Sequence, residues 1–408
     1  MNFNSSSNSL YDKAYIPPCL PPIVEAIKAY SVPLTAPKDL INAYFELKKT
    51  ALEEVFKHVK YSKSGKAHLN FGRDERRDLR NKLLEDWRYA KHYVDSAINS
   101  VMGLVKGWIK LHNKGKAKSR PKITRKTVYI KSTLFVVRGG RIKITIEARR
   151  RYIEVDLARY EYLPKDYDSI GGLIMLEDRL IITFKKRVKM MEVKDYASFD
   201  VNLTNITGLV GGRIVRFDLR GLYHIHRVYE EKRRRIQRMK KRKPRTAKKL
   251  MKKYSEREKN RAKDMMHKIT TAIARELERM KSGAILEDLR NIKERILRGG
   301  KNLNRKLSKW NCRIFQFMLE YKLKWKGLPV KYVNPANSSK TCPLCSGRLS
   351  AYEGRLMRCG RCGYVGDRDV IAVINLRMWG LGVAPKGGEP LKGDESQSGC
   401  LHINADIR

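Results

Sequence analysis

Four cysteines set the firmest constraint on how this chain can fold. Cys342, Cys345, Cys359 and Cys362 follow the pattern C-x2-C-x13-C-x2-C, two tight pairs separated by a span that can fold back as a short β-ribbon. Thiolates gathered this way close a tetrahedral sphere around Zn2+ and leave no open position, so the expected zinc is structural. Cys19, Cys312 and Cys400 are isolated. Cys312 lies beside an apolar helical stripe, where packing rather than reactivity is expected. A disulfide framework belongs to small secreted chains. This chain has 408 residues, enough for two or three domains and at least one large core.

Charge decides the class of partner. The chain carries 89 Lys and Arg against 42 Asp and Glu, a formal net charge of +47. A polyphosphate is the expected partner, because each phosphate neutralised releases condensed counterions. Membrane surfaces are also anionic, but no uncharged apolar run reaches spanning length. The start, MNFNSSSNSLYDK, lacks the basic-then-apolar order of a secretory signal. The expectation is a cytoplasmic, nucleoid-associated protein that binds nucleic acid and not membrane. A basic structural or ribosome-associated protein is the alternative on charge alone. Nothing in the sequence sets the oligomeric state, and a monomer is the default.

Hydrophobic periodicity divides the chain. Residues 1–37 are rich in Ser and Pro. Between 38 and about 112, segments such as DLINAYFELKKTALEEVFKHVK repeat apolar residues at helical spacing, with Trp87 and Trp108 as core anchors. A basic linker, NKGKAKSRPKITRK, leads to two predicted β-hairpins, the first turning at Gly139-Gly140. YASFDVNLTNITGLVGGRIVRFDL reads as three consecutive strands, with a Gly-Gly turn before the third. A charged helical region over 223–282, interrupted near Pro244, ends in a stripe of Met266, Ile269, Ile273, Leu277 and Met280. GAILEDL predicts a strand ending in acids. Residues 303–326 predict one helix with Leu307, Trp310, Ile314, Phe317 and Tyr321 on its apolar face, and LPVKYVNP predicts another strand. Strands followed by strand–helix alternation argue for a mixed α/β sheet. The Gly-, Pro- and Ser-rich stretch after about Gly380 reads as disordered.

Three acids sit where such a sheet could gather them. Asp200 lies on the first strand of the triplet, Glu287 ends the strand AILE, and Asp369 begins the last helix, where it is expected to serve as helix cap as well. Converging carboxylates repel, so such a group persists only around a divalent cation. Two Mg2+ about 4 Å apart would activate water and stabilise a leaving oxygen in phosphodiester hydrolysis. Asp367, two residues earlier, is read as a neighbour.

These segments resemble the three motifs of the RuvC-type, ribonuclease H-like nuclease domain of the TnpB family, transposon-encoded RNA-guided nucleases related to the type V CRISPR effectors. FDVNLTNITGLV resembles the first motif and ILEDLRNIKER the second. CGRCGYVGDRDVIAVINL resembles the zinc ribbon with the third motif, and His267–Lys268 and YKLKWKGLPVKYVNPANSSKTCPLC match intervening segments. Ile371 and Val373 depart from that third motif, which has Asn and Ala there, while Asn375 matches its last amide. The resemblance covers about 196–380 and puts Asp200, Glu287 and Asp369 in the catalytic, magnesium-binding roles.

The resemblance also implies a division of the chain. It runs from an N-terminal segment, 1–37, possible part of a wedge domain, through a helical recognition lobe, 38–118, and a β-rich wedge-like domain, 119–195. The nuclease domain's first part, 196–338, precedes a zinc ribbon, 339–366, the third-motif helix, 367–380, and a tail, 381–408.

The implied partners are a guide RNA derived from the transposon end and a double-stranded DNA target. Between 227 and 268 lie twenty Lys or Arg, with acids that read as too sparse to pair with them. Arg233, Arg234, Arg235, Arg238, Lys240, Lys241, Arg242, Lys243, Lys248 and Lys249 are therefore expected to track the RNA–DNA duplex or the displaced strand. A solvated charged face is the plain alternative, and the linker at 114–126 is a second candidate surface. Two other functions compete: a guide-independent nuclease or transposase accessory protein, and a non-catalytic nucleic-acid-binding regulator.

Overall fold

The computed structural model describes residues 22–117, 119–290 and 292–383. Most of the N-terminal segment and of the tail, including Cys19 and Cys400, lies outside the described residues. Two compact units are present, one spanning Glu25–Arg187 and the other built from Val188 onward. Among the described residues no helix is long and apolar enough to cross a membrane.

In the first unit, β1 (Ile23–Pro33) precedes α1 (Lys38–Lys57), and a short hairpin, β2 (Val59–Tyr61) with β3 (Ala67–Leu69), leads to α2 (Arg73–Leu84) and α3 (His92–His112). Helices α1 and α3 bury the faces their periodicity predicts. Tyr44 and Tyr93 meet edge-to-face with centroids 6.2 Å apart, and Trp108 is buried. The hairpin β2–β3 escaped the periodicity because each strand has three residues. The β-rich half adds β4 (Val128–Ile130), β5 (Phe135–Arg138), β6 (Arg141–Glu147), β7 (Arg151–Asp156), β8 (Ser169–Met175) and β9 (Arg179–Lys189). One sheet runs β1-β9-β8-β4 and another β5-β6-β7, so the strand of the N-terminal segment pairs with the second hairpin.

The second unit is organised by a sheet of order β12-β11-β10-β13-β14, from β10 (Tyr196–Val201), β11 (Asn205–Val210), β12 (Arg213–Asp218), β13 (Gly283–Glu287) and β14 (Val330–Val333). The first three strands form an antiparallel meander, while β13 is parallel to both β10 and β14. Gly211 and Gly212 turn β11 into β12 at φ 55° and 79°, the left-handed pair a tight hairpin needs. Between β12 and β13 run α4 (Arg220–Met239) and α5 (Pro244–Arg279). Pro244 opens α5 at a position where its missing N–H costs nothing, which accounts for the interruption.

Alternation along the strands sorts the two faces. Ala197, Phe199 and Val201 on β10, with Ala284 and Leu286 on β13, join Met266, Ile269, Ile273 and Leu277 of α5 and Phe315, Leu319 and Leu323 of α8 (Cys312–Trp325) in one core. Ser198 faces the other way, its hydroxyl donating 2.6 Å to the Val373 carbonyl on α9 (Arg368–Leu381). Cys312 is fully buried in the core, as expected.

One helix prediction fails. The segment 303–326 is not a single helix: α6 (Ile292–Ile296) and α7 (Lys301–Ser308) precede α8, and the chain breaks at 309–311. Phe315, Met318, Leu319 and Leu323 form the buried face of α8, whereas Ile314 and Phe317 are 43% and 66% exposed. Two overlapping apolar stripes run along this sequence, and the sheet takes the one that extends through Leu323 to Leu328. Phe315→Ala should therefore cost about 3–5 kcal/mol, and Phe317→Ala under about 0.5 kcal/mol, in denaturant melts. Equal costs would mean that α8 is turned the other way.

Candidate metal centres and nucleic-acid interface

Strand register brings the first two acids together. Phe199 pairs with Leu286 across the parallel β10–β13 ladder, so the next residues, Asp200 and Glu287, end neighbouring strands at the same level and on the same face. Helix α9 covers that face and carries Asp369 in its first turn, one helical turn before Val373. Glu287 and Asp369 are 8% and 5% exposed. The sequence-predicted acids thus meet from two strand ends and a helix start.

Neighbouring groups orient them. Asn202 Nδ2 donates to Asp200 Oδ2 at 2.9 Å, and Asn205 Nδ2 to Asp369 Oδ2 at 3.1 Å. The Val201 amide lies 3.4 Å from Glu287 Oε2. Trp310 Nε1 donates 2.8 Å to the Val201 carbonyl and Gln316 Nε2 2.7 Å to that of Glu287, anchoring both strand ends. Arg355 pairs with Asp369.

Asp369 is not the helix cap. Asp367 is: its Oδ1 accepts from the Asp369 and Val370 amides at 2.9 and 3.3 Å. Capping needs a residue outside the helix whose side chain folds back onto the free amides, and Asp369, already inside, turns to the sheet instead. Asp367 is also held by Arg216 at 3.2 Å.

The electrostatics are those of like charges confined together. Burial, then repulsion from Asp369, pushes the Asp200 carboxyl up to about 6, against the donation from Asn202. Burial, then the charge of Asp200, pushes Glu287 up to about 8. The couplings run in a line, Glu287 to Asp200 to Asp369. Among the described residues, the only three or more potential ligands with donor atoms all within 4.8 Å of one another are the cysteines.

Those cysteines form the second centre. A small antiparallel sheet, β15 (Leu349–Ala351), β16 (Leu356–Cys359) and β17 (Val365–Asp367), folds the pairs onto each other. Cys342 Sγ lies 3.6 Å from Cys362 Sγ, and Cys345 Sγ 3.5 Å from Cys359 Sγ. A tetrahedral zinc with Zn–S bonds of about 2.3 Å spaces its sulfurs by roughly 3.8 Å, so the residues fit the ion. A backbone amide of Cys362 holds the Cys359 thiol down to about 6, while burial pushes the Cys342 thiol up to about 12, so the sulfur spacing and not the thiol acidity carries the fit. A Cβ on Gly347 would meet the Cys345 and Cys359 sulfurs at 3.2 Å. The ribbon docks on α9: Ile371 joins the Cys342–Leu349–Cys359 cluster, and Asn375 Nδ2 donates 2.7 Å to both the Ser338 and Thr341 carbonyls.

The basic candidates separate into two groups. Arg233 pairs with Glu258 and Arg234 with Glu230, so acids do reach these two of the ten. Glu258 joins α5 to α4, whereas Glu230 also pairs with Arg305 and Lys309. The remaining eight, Arg235, Arg238, Lys240, Lys241, Arg242, Lys243, Lys248 and Lys249, are exposed. They crowd around the α4–α5 turn without a carboxylate partner among the described residues.

Comparison with known proteins places the chain. Residues 182–291 match the family model described as "Probable transposase", and 313–376 match "Cas12f1-like, TNB domain". Residues 40–145 match the family of the uncharacterized protein MJ0013. TnpB-like protein MJ0751 of Methanocaldococcus jannaschii is 38% identical over 256 residues, 60% of this chain and 92% of that protein. The chain belongs to the TnpB family. A second TnpB-like protein of that organism, MJ1635, is 30% identical over 339 residues, 81% of this chain and 79% of its own length. The fold is like that in the cryo-EM structure of the Cas12f1–sgRNA–target DNA complex, with a TM-score of 0.57 and 15% identity over 83% of this chain and 81% of that one.

Asn202 and Asn205 lie inside the TnpB-like first motif, where their position was a signal. Arg355 had none, because the turn between β15 and β16 reaches the acids only through the docking of the ribbon.

Two measurements follow. Purified protein should hold about one zinc per chain, and Cys342→Ser/Cys362→Ser should lose it; stoichiometric zinc in that double variant would remove the site. The second is pH-dependent stability. A carboxyl with a raised folded pKa favours the fold while protonated, fully below about pH 4. That contribution is lost as pH rises through about 6 for Asp200 and about 8 for Glu287. Without added Mg2+ or Mn2+, Glu287→Gln should therefore melt above the parent by about 2 °C or more at pH 8, with the difference shrinking toward pH 4. A difference that does not change with pH would show that this carboxyl is not held beside another in a dry site.

Proposed function

We propose that this TnpB-family chain is an RNA-guided DNA endonuclease. In this reading its second unit carries a ribonuclease H-like, RuvC-type site over 196–380, interrupted by the zinc ribbon. The observation that supports it most is the register that sets Asp200 beside Glu287 under the helix bearing Asp369. The sheet is three antiparallel strands continued by two parallel ones, and Asp200 and Glu287 lie together at one end of its strands. In the same reading, residues 38–118 serve as recognition lobe and 119–195 as wedge, and the exposed cations of the α4–α5 turn hold the RNA–DNA duplex by its backbone. The partners are a guide RNA from the transposon end and a double-stranded target.

The oxygen donors of Asp200, Glu287 and Asp369 suit hard divalent cations such as Mg2+. Asp200, between the other two in the chain of interactions, would hold such ions together with Glu287 and Asp369. Bound there, Mg2+ would supply an activated water and stabilisation of the leaving oxygen. The chain's own groups prepare that site. Asn202 and Asn205 fix the rotamers of Asp200 and Asp369, Trp310 and Gln316 hold the two strand ends level, and Arg355 offsets charge at Asp369.

With RNA-loaded protein and a matched DNA target, alanine at Asp200, Glu287 or Asp369 should each reduce cleavage below about one thousandth of the parent, because such groups act as a unit. Binding, carried by Lys and Arg, should persist. Asp367→Ala should lose about 1 kcal/mol of capping yet still cut. Cleavage should require Mg2+ or Mn2+. Parental cutting by Asp200→Ala would sink the nuclease reading, and cutting without any RNA would favour the guide-independent one.

A further inference from the structure

His226 on α4 is 8% exposed and is held at both ring nitrogens. Nδ1 lies 2.8 Å from Glu258 Oε1 on α5, and Nε2 lies 2.9 Å from Nδ2 of Asn311, between α7 and α8. An amide nitrogen only donates, so Nε2 accepts and the ring proton sits on Nδ1, facing the carboxylate. Burial, then the charges of Lys309 and Arg233, holds the imidazole down to about 4, which keeps it neutral.

Asn311 stands at the N-cap of α8 yet makes no capping hydrogen bond. Asn is favoured there because its side chain accepts from backbone amides; here its amide goes to His226 instead. Lys309, two residues earlier, pairs with Glu230 of α4 and lies 3.5 Å from the His226 carbonyl. The chain is therefore clamped to α4 on both sides of Trp310, whose Nε1 donates to the Val201 carbonyl at 2.8 Å. The same clamp reaches the acids by a second route. His226, Lys309 and Asn311 wall one small void together with Val201 and Asn202, and Asn202 donates to Asp200. The β10–β13 ladder stops at Phe199–Leu286, one residue short of Asp200, so side chains must steady that side of the strand end.

We infer that His226 is a positioning residue: as a neutral ring protonated at Nδ1, it fixes the end of β10, and with it the Asp200 carboxylate, through Asn311 and Trp310. That this serves cleavage rests on the nuclease reading; the positioning itself does not.

The test uses full-length protein. With 15N-labelled histidine, the imidazole signals lost in His226→Leu should show Nδ1 protonated and Nε2 bare. Amide exchange over 196–203 should speed up about tenfold in His226→Leu, and also in Trp310→Phe, which keeps an aromatic ring but removes the N–H. The α5 core over 266–277 should stay parental. His226→Gln, with one donor and one acceptor to offer, should restore protection. Without nucleic acid, the Mn2+ concentration for half-saturation should rise about tenfold in His226→Leu, and RNA-loaded protein should cut about tenfold more slowly at unchanged DNA affinity. Parental exchange over 196–203 in both variants would overturn the inference, as would a proton on Nε2. So would exchange that quickens equally over 266–277, which would make the network a brace for the whole unit. If exchange and Mn2+ binding shift as expected while Asp200→Ala cuts at the parental rate, the nuclease reading alone fails and the positioning stands.

Discussion

The second unit depends on one ladder, the parallel pairing of β10 with β13. It joins segments more than eighty residues apart in sequence, and its register decides which side chains lie level. Because side chains alternate along each strand, the pairing that sends Phe199 and Leu286 into the α5–α8 core also sends Asp200 and Glu287 to the opposite face. A slip of one residue would bury the carboxylates in hydrocarbon and expose the phenylalanine. Hydrophobic burial on one side of the sheet therefore enforces carboxylate convergence on the other, where charge repulsion alone would drive the groups apart.

Helix α9 links this convergence to the cysteine ribbon. One side of it offers Asp369 and Val373 to the sheet, and another offers Ile371 and Asn375 to the ribbon and its lead-in. Ile371 stands where the TnpB third motif has Asn. Its burial with Cys342, Leu349 and Cys359 gives that departure a packing reason. The ribbon in turn returns Arg355 to Asp369 and holds the capping Asp367 at the end of β17. A metal closing the ribbon would thus also steady one wall of the acid cluster from outside it.

Much of this was legible in the residues, for identifiable reasons. The strand triplet, its Gly-Gly turn, the break before Pro244 and the stripe of α5 each announce themselves through local rules of turn chemistry and periodicity. The errors came where two local solutions were equally good. Residues 303–326 carry two apolar stripes, and Asp367 and Asp369 are both able to cap. In the basic run, Glu258 reads as an isolated acid because its partners His226 and Arg233, across the α4–α5 contact, are distant in sequence. Glu230 draws Arg305 and Lys309 from beyond the run besides Arg234 in its own helix.

What the sequence determined by itself is whatever depends on spacing along the chain: a four-thiolate set, a net charge that demands a polyanion, and strands and helices with three acids at their ends. Tertiary structure alone decided which acids face one another, which helix face is core, and that an arginine from the ribbon's turn sits against Asp369. Local patterns specify the direction of a side chain relative to its own element. The neighbour it meets is set by the register and docking of elements whose contacts span tens to hundreds of residues, and burial over the whole unit selects that arrangement.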